Sequence, residues 1–546
     1  MSLLSTCDFS LLRVPLLSYE EVLQLHHNTH DDQASFLQAI HKAYSAPLLQ
    51  EAVFLASPAL YEEMMKWLAQ PGSSLKLPLA LYRYLLRMSA RCTPYGLFAG
   101  CAIGRIHPGS TMLLPAGESG RQKVARLDME YLTGLVDELV KWPEIRQQVL
   151  FYPNNSMYPA GNSRRYFEYQ LRDKRRHYFL SAFSLNEYLD ALLAAASRGA
   201  RISDLTALLG SMGVPPGEAG DFIETLTDNQ ILVPGLSPGI TGPDSLTVLV
   251  EQLRQYNPVP DCVAPLQAIR ELLQQQPDGV QQYLDIKKLL ADHFPGTMVK
   301  DLVQVDLFFQ PAATDLSQKV TDTLLQRLER LAVLGTPGAN TDLQTFKDQF
   351  QQRYDQREVP LMTALDSESG IGYGIVSGDH ASFTPLIDDL VMPAGKANGA
   401  INWNVHTKFV WRKFLSAKSS DAAVITLTDA DLDELASETD IPPLPAFLFL
   451  MGSLLSPDAA ALDNGDFRFL LKSCSGPNAL ALMGRFAAGN DALASALKDF
   501  AQQEQALEKD RIIAEVVHLP EGRTGNVLLR PQLYEYEIPF LGKGGA

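Results

Sequence analysis

Cysteine is scarce in this chain, and Cys7, Cys92, Cys101, Cys262 and Cys474 never stand in a Cys-x-x-Cys spacing. That excludes a disulfide scaffold and a thiol-rich zinc site, and it points to reduced, mostly buried thiols in a cytoplasmic protein. Long apolar runs are missing too. The longest, AFLFLMGSLL at 446–455, is about half of the roughly 20 residues that cross a bilayer, so no membrane span is expected. The N-terminus is interrupted by Asp8 and Arg13, unlike a secretory signal. Walker, His-Glu-x-x-His and Gly-x-Ser-x-Gly motifs are absent, which removes the sequence anchors of ATP-driven, metal-hydrolase and serine-hydrolase chemistry. A net charge of -17 argues against a general nucleic-acid coat protein. It confines any polyanion site to a local basic patch.

A chain of 546 residues can bury a large core and hold several subdomains. The pattern reads as α+β, a multi-subdomain mixed helix/sheet protein divided at 1–150, 151–240 and 241–546. The last division falls on the Pro/Gly-rich VPGLSPGITGPDS at 233–245. Residues 151–240 are the most legible. SRRYFEYQLRDKRRHYFLSAF predicts a β-hairpin, three short helices follow, and NQILVP closes with a strand. That order is an embedded winged helix. Its second helix, ISDLTALLGSMG, has no Arg or Lys with which to read bases, so peptide binding by strand addition is the preferred reading. The turn with Arg172, Lys174, Arg175 and Arg176 is either a solvated hairpin tip or a contact for phosphate or an acidic peptide.

Arginine dominates the candidate sites. KLPLALYRYLLRMSAR predicts a helix with Arg83, Arg87 and Arg91 spaced every four residues along one side. Pro94 then stops the helix, leaving Thr93 and nearby amides available. Such a rail is either a solvated face or a row of guanidinium forks suited to phosphate. Asp128 sits where KVARLD meets the helical MEYLTGLVDELVKW, as an N-cap or as a catalytic carboxylate. Asp306, in LVQVDLFF, shares a strand face with Gln304 and Phe308 and is either functional or merely exposed. Arg485 falls near the end of a small-residue helix. Arg523, Asn526 and Arg530 cluster in a block expected to be a strand, a turn and two more strands. Two further motifs are weak. His26 and His30 have helical zinc spacing without a remote ligand cluster, and GIGYG at 370–374 has phosphate-loop glycines without a Lys-Ser/Thr.

Taken in order, RMSARCTPYGLFAG, ARLDMEYL, QVDLFF, VPLMTALDSESGIGYG, Gly484-Arg485-Phe486 and VVHLPEGRTGNVLLRPQLYEYEIP closely resemble the N-terminal glutamylation domain of class I lanthipeptide dehydratases, the LanB type. The resemblance runs through nearly the whole chain. It implies transfer of glutamate from glutamyl-tRNA(Glu) to Ser and Thr hydroxyls of a precursor peptide, before a separate elimination step leaves dehydroamino acids. It implies that Arg87, Arg91, Thr93, Asp128, Asp306 and Arg485 are needed for glutamylation, and that Arg13 matches the arginine of an N-terminal Arg-x-Pro segment. Arg83, Arg523 and Asn526 are read with Arg13 as tRNA- or substrate-binding supports. The winged helix takes the place of the leader-peptide recognition element. No metal is implied, nor any cofactor beyond glutamyl-tRNA as co-substrate. The expected partners are the precursor peptide, the charged tRNA, a separate elimination-domain protein and a second copy in a homodimer. Family members continue past EIPFLG, so either a split subunit that needs a partner or a truncated product is expected. The rival readings are a peptide aminoacyl-tRNA ligase and a non-catalytic leader-binding scaffold.

Overall fold

The computed structural model describes residues 4–545, apart from 30–31, 115–119, 173–174, 277–278, 298–300, 336–340, 375–402, 440–443, 445 and 477. A six-stranded mixed sheet positions the site. At its centre, strand Ala99–His107 pairs antiparallel with Phe9–Pro15, and in parallel with Val303–Phe309 and Ala313–Ser317. Arg121–Leu127 then adds antiparallel to Val303–Phe309, with Asp306 opposite Val124. Gly100 permits the close central pairing, since a Cβ there would lie 2.3 Å from the Leu307 carbonyl oxygen.

Alternation gives the sheet two different faces. Val305, Leu307 and Phe309 join Leu97 and Phe98 in a core with Leu81, Leu85 and Met88. These last three recur at helical spacing along Lys76–Ala90, so that helix lies on this face. Phe308 and Cys101 point the other way, into a core with Leu480, Phe486, Leu493 and Leu497. The largest core joins helix Met129–Leu139 to the helices of 187–228 and those of 245–293.

The expected hairpin forms from Ser163–Arg172 and Arg175–Ser184, followed by helices Glu187–Ala196, Ile202–Ser211 and Pro216–Asp228. The closing strand Leu232–Pro234 pairs with Phe151–Pro153, while the hairpin takes Tyr158–Ala160 as its third strand. Among the described residues no helix is long and apolar enough to cross a membrane.

Two local expectations are corrected. Helix Lys76–Ala90 ends before Thr93: Arg91 is its C-cap, with extended backbone. The rail therefore holds helical spacing only from Arg83 to Arg87. The segment after Pro-Glu-Gly-Arg contains a helical turn, Gly525–Leu528, and only one further strand, Tyr536–Pro539, among the described residues. GIGYG, a weak phosphate-loop match, turns three of its amides onto the chain, Gly370 N–H donating to the Asp366 carbonyl and Ile371 and Gly372 N–H to the Ala364 carbonyl at 2.9 and 3.3 Å.

Candidate functional site

Asp306 is buried, only 3% exposed, which removes the reading of a merely solvated carboxylate. A buried carboxylate needs charged or hydrogen-bonding partners, and each of its oxygens has a guanidinium. Arg126 Nη1 donates to Oδ2 at 2.9 Å, and Arg485 Nη2 donates to Oδ1 at 2.5 Å. Arg126 stands opposite Gln304 on the neighbouring strand and reaches diagonally. Arg485 arrives from the last turn of helix Leu480–Ala487.

The network continues through the 525–528 turn. Arg126 Nη2 donates to the Asn526 carbonyl at 3.0 Å. The Asn526 amide donates to Asp128 Oδ2 at 2.7 Å, and its Oδ1 accepts from Met129 N–H at 2.9 Å. Asp128 in turn caps helix Met129–Leu139, its Oδ1 accepting from Glu130 N–H at 2.8 Å. Gly525 lets the turn approach, because a Cβ there would lie 2.9 Å from that of Met129. Burial pushes the Asp128 carboxyl above its ordinary range, while hydrogen bonds from Glu130, Asn526 and Tyr131 pull part of the way back. The structure thus joins Asp128, Asp306, Arg485 and Asn526 in one buried chain of bonds. It adds Arg126, which sequence reasoning passed over although it lies in the quoted ARLDMEYL. The Nε–H groups of Arg126 and Arg485 are buried without a partner among the described residues.

Arg13 belongs to the same side. Phe9 and Leu11 pack with the Phe308 cluster and Leu12 and Val14 with the opposite one, so alternation turns Arg13 toward the Asp306 face. It pairs in register with Cys101. Burial pushes the Cys101 thiol up to about 12 against the opposing pull of Arg13, so this cysteine is no ready nucleophile.

The arginine rail lies on the other face of the sheet. Arg83, Arg87 and Arg91 line a cavity of 690 Å³ with Tyr84, Tyr95 and Phe98. The Arg87 guanidinium sits 5.4 Å from the Tyr95 ring centre and 5.9 Å from that of Phe98. None of the three arginines has a carboxylate partner among the described residues. Thr93 is exposed in the turn beyond. Although the faces differ, the ends coincide: Phe308 is level with Cys101, so Asp306 is level with Ala99, where the turn from the rail enters the strand.

Other candidates fall outside. Arg523 is 74% exposed, its guanidinium 3.5 Å from the Asp301 carboxylate. Arg176 is neither a solvated tip nor free for an acidic ligand. It donates to the Leu519 carbonyl at 2.9 Å and lies 4.3 Å from the Tyr169 ring centre, docking the hairpin on the 519–520 turn. Lys174 and His30 lie outside the described residues. His26 is bonded to the Tyr82 hydroxyl at 2.5 Å. Among the described residues no cluster of three His, Cys, Asp or Glu is placed to hold a metal ion.

A family model described as lantibiotic dehydratase, N terminus, matches residues 45–545. The subtilin biosynthesis protein SpaB of Bacillus subtilis is 24% identical over 394 residues, covering 68% of this chain and 36% of that protein. The nisin biosynthesis protein NisB of Lactococcus lactis subsp. lactis is 24% identical over 369 residues, covering 63% and 35%. The chain thus spans about a third of the length of these relatives. Among solved structures, the tRNA-dependent lantibiotic dehydratase MibB from Microbispora sp. 107891 matches with a TM-score of 0.75 at 21% identity, over 98% of this chain and 51% of that one. The glutamylation domain TbtB, from thiomuracin biosynthesis, matches with a TM-score of 0.59 at 14% identity, over 93% and 62%.

Proposed function

Because the chain belongs to the lantibiotic dehydratase N-terminal family, we propose that it carries out the glutamyl-transfer step of peptide dehydration. Glutamate passes from glutamyl-tRNA(Glu) to Ser and Thr side chains of a precursor peptide. The observation that carries this reading is the cavity of three unpaired arginines, set at the same end of the sheet as the Asp306 network on a chain of net charge -17. Clustered cations without counter-charges repel one another, and a polyanion relieves that cost. The acceptor end of tRNA is such a ligand, with single-stranded phosphates within reach of guanidinium forks.

The chemistry is acyl exchange without redox change. The peptide hydroxyl oxygen attacks the glutamyl ester carbonyl, the bond to the ribose oxygen breaks, and the hydroxyl proton leaves with the ribose. Positioning and preorganised charge suffice to accelerate such a step. Asp306 already accepts from two guanidiniums, one at each oxygen, so its proposed part is to hold Arg126 and Arg485 in place. The precursor leader is proposed to add as a strand beside Arg175–Ser184, which is the edge of its sheet. Dependence on charged tRNA assigns the reaction to the cytoplasm.

The test is to incubate the chain with isotopically labelled glutamyl-tRNA and precursor peptide, with and without a separately supplied elimination protein, and to follow peptide mass. A glutamate ester on Ser or Thr is the expected product. An amide at the peptide C-terminus would instead indicate a peptide ligase, and binding without mass change a scaffold.

A further inference from the structure

The cavity holds one feature that the sequence motifs left unassigned. Tyr95 stands in the turn between the rail and the central strand, with 49% of its surface exposed. An exposed tyrosine in a loop is ordinarily mobile, but this one is fixed on several sides. Its carbonyl accepts from Phe98 N–H at 3.0 Å, closing a tight turn through Gly96 at φ +51°. Its ring leans on Phe98, with centres 5.7 Å apart, and Phe98 is locked edge-on against Tyr84 at 5.3 Å. The Arg87 guanidinium lies over the Tyr95 ring at 5.4 Å. The ring is therefore rigid and electrostatically tuned, it borders a cavity lined by Arg83 and Arg91, and half of it is open to solvent.

Guanidiniums around a fixed, open aromatic face are what a single-stranded nucleotide requires: cations for phosphate and a flat surface for the base. A folded protein segment would instead meet three guanidiniums that have no carboxylate partner among the described residues. We infer that Tyr95 is the stacking platform for the terminal nucleobase of the tRNA acceptor end, with Arg83 and Arg91 holding the flanking phosphates. This rests on the glutamyl-tRNA reading and deepens it, by assigning the base a position and leaving the ester outside the aromatic pocket.

The experiment uses the full chain and a fluorescent acceptor-stem RNA minihelix ending in single-stranded CCA, beside the same RNA lacking the terminal adenosine, with binding followed by anisotropy. Tyr95→Ala is expected to weaken binding of the complete RNA by about five- to 150-fold, the range for loss of one base–aromatic stack. Tyr95→Phe should keep most of the affinity, because it retains the ring. Removing the adenosine should weaken the wild type comparably and Tyr95→Ala hardly at all. Equal losses for Tyr95→Ala on both RNAs would overturn the stacking assignment, as would no loss on either. If wild type binds the RNA and Arg87→Ala does not, while Tyr95→Ala behaves as wild type, only the stacking inference fails. If wild type ignores both RNAs, the glutamyl-tRNA reading fails with it. Circular dichroism of each variant separates a lost stack from a lost fold.

Discussion

Asp306, Arg126 and Arg485 show how burial separates residues that the sequence treats alike. Arg126 is 6% exposed and shares its guanidinium between Asp306 and the Asn526 carbonyl. Removing it strands a carboxylate in the interior with one partner fewer, and breaking such a pair ordinarily costs about 3–5 kcal/mol. Arg126→Met should therefore lower stability by about that amount, measured as a shift in the urea midpoint. Arg485 keeps 17% side-chain exposure and brings a charge from a different helix to the same carboxylate. Arg485→Ala should lower glutamyl transfer by about 100- to 1,000-fold, the cost of losing one preorganised donor, with a smaller effect on the midpoint. If Arg485→Ala lowered the urea midpoint as much as Arg126→Met while the folded variant kept full transfer, its place would be structural.

Among the elements, the hairpin subdomain is tied to the 361–374 segment by two carboxylates, Asp366 and the more exposed Glu368, both reached by Arg165. Asp366 accepts from the Tyr158 hydroxyl at 2.6 Å, from Arg165 Nη1 at 2.7 Å, and from Glu368 and Ser369 N–H at 2.9 and 2.7 Å. Burial opposes its ionisation, but the donors of Ser369, Tyr158, Arg165 and Glu368 outweigh that and hold the carboxyl well below its ordinary value of 3.8. The folded value is thus lower than the unfolded one. The clamp contributes fully above about pH 4 and is lost as pH falls through the folded value. Asp366→Asn should lower the melting temperature near pH 6, by the equivalent of about 3 kcal/mol. The gap between wild type and variant should begin to narrow as pH falls below about 4 and close only as pH falls through the folded value. A gap that stayed constant with pH would show that the carboxylate charge plays no part.

The same elements mark what the sequence disclosed. Helical spacing in Lys76–Ala90 and Met129–Leu139, the Asp128 cap and the 163–184 hairpin were legible because their causes are local. NVLL reads as strand by propensity, yet the Asn526 amide and carbonyl are claimed by Asp128 and Arg126 about 400 positions away, and tertiary bonds override local preference. Arg126 escaped notice for the same reason. Its partner Asp306 lies 180 residues on, and no spacing rule connects them. The rail was visible as a row, whereas its termination at Arg91 and its aromatic floor depend on how the turn packs against the sheet.

For the molecule as a whole, the issue is how a chain of net charge -17 can hold a polyanion at all. Beyond about 8–10 Å, salt screens the acidic body from a bound phosphate, so the unpaired arginines within the cavity govern affinity while the rest of the surface limits non-specific binding. Each phosphate contact to single-stranded nucleic acid releases counterions worth about -0.7 in the slope of log affinity against log salt. Arg83 and Arg91, the two guanidiniums assigned to phosphates, then predict a slope of about -1.4 for the acceptor-end RNA. Arg83 makes no ion pair among the described residues and is exposed, so it can be removed without disturbing the fold. Arg83→Ala should reduce the slope to about -0.7, and lower affinity more at low salt than at high salt. The measurement is a series of anisotropy titrations across sodium chloride concentrations for the two proteins. Parallel slopes would place the phosphates elsewhere on the surface. A wild-type slope near zero would mean that the cavity binds no phosphate, and the charge argument for tRNA would fall with it.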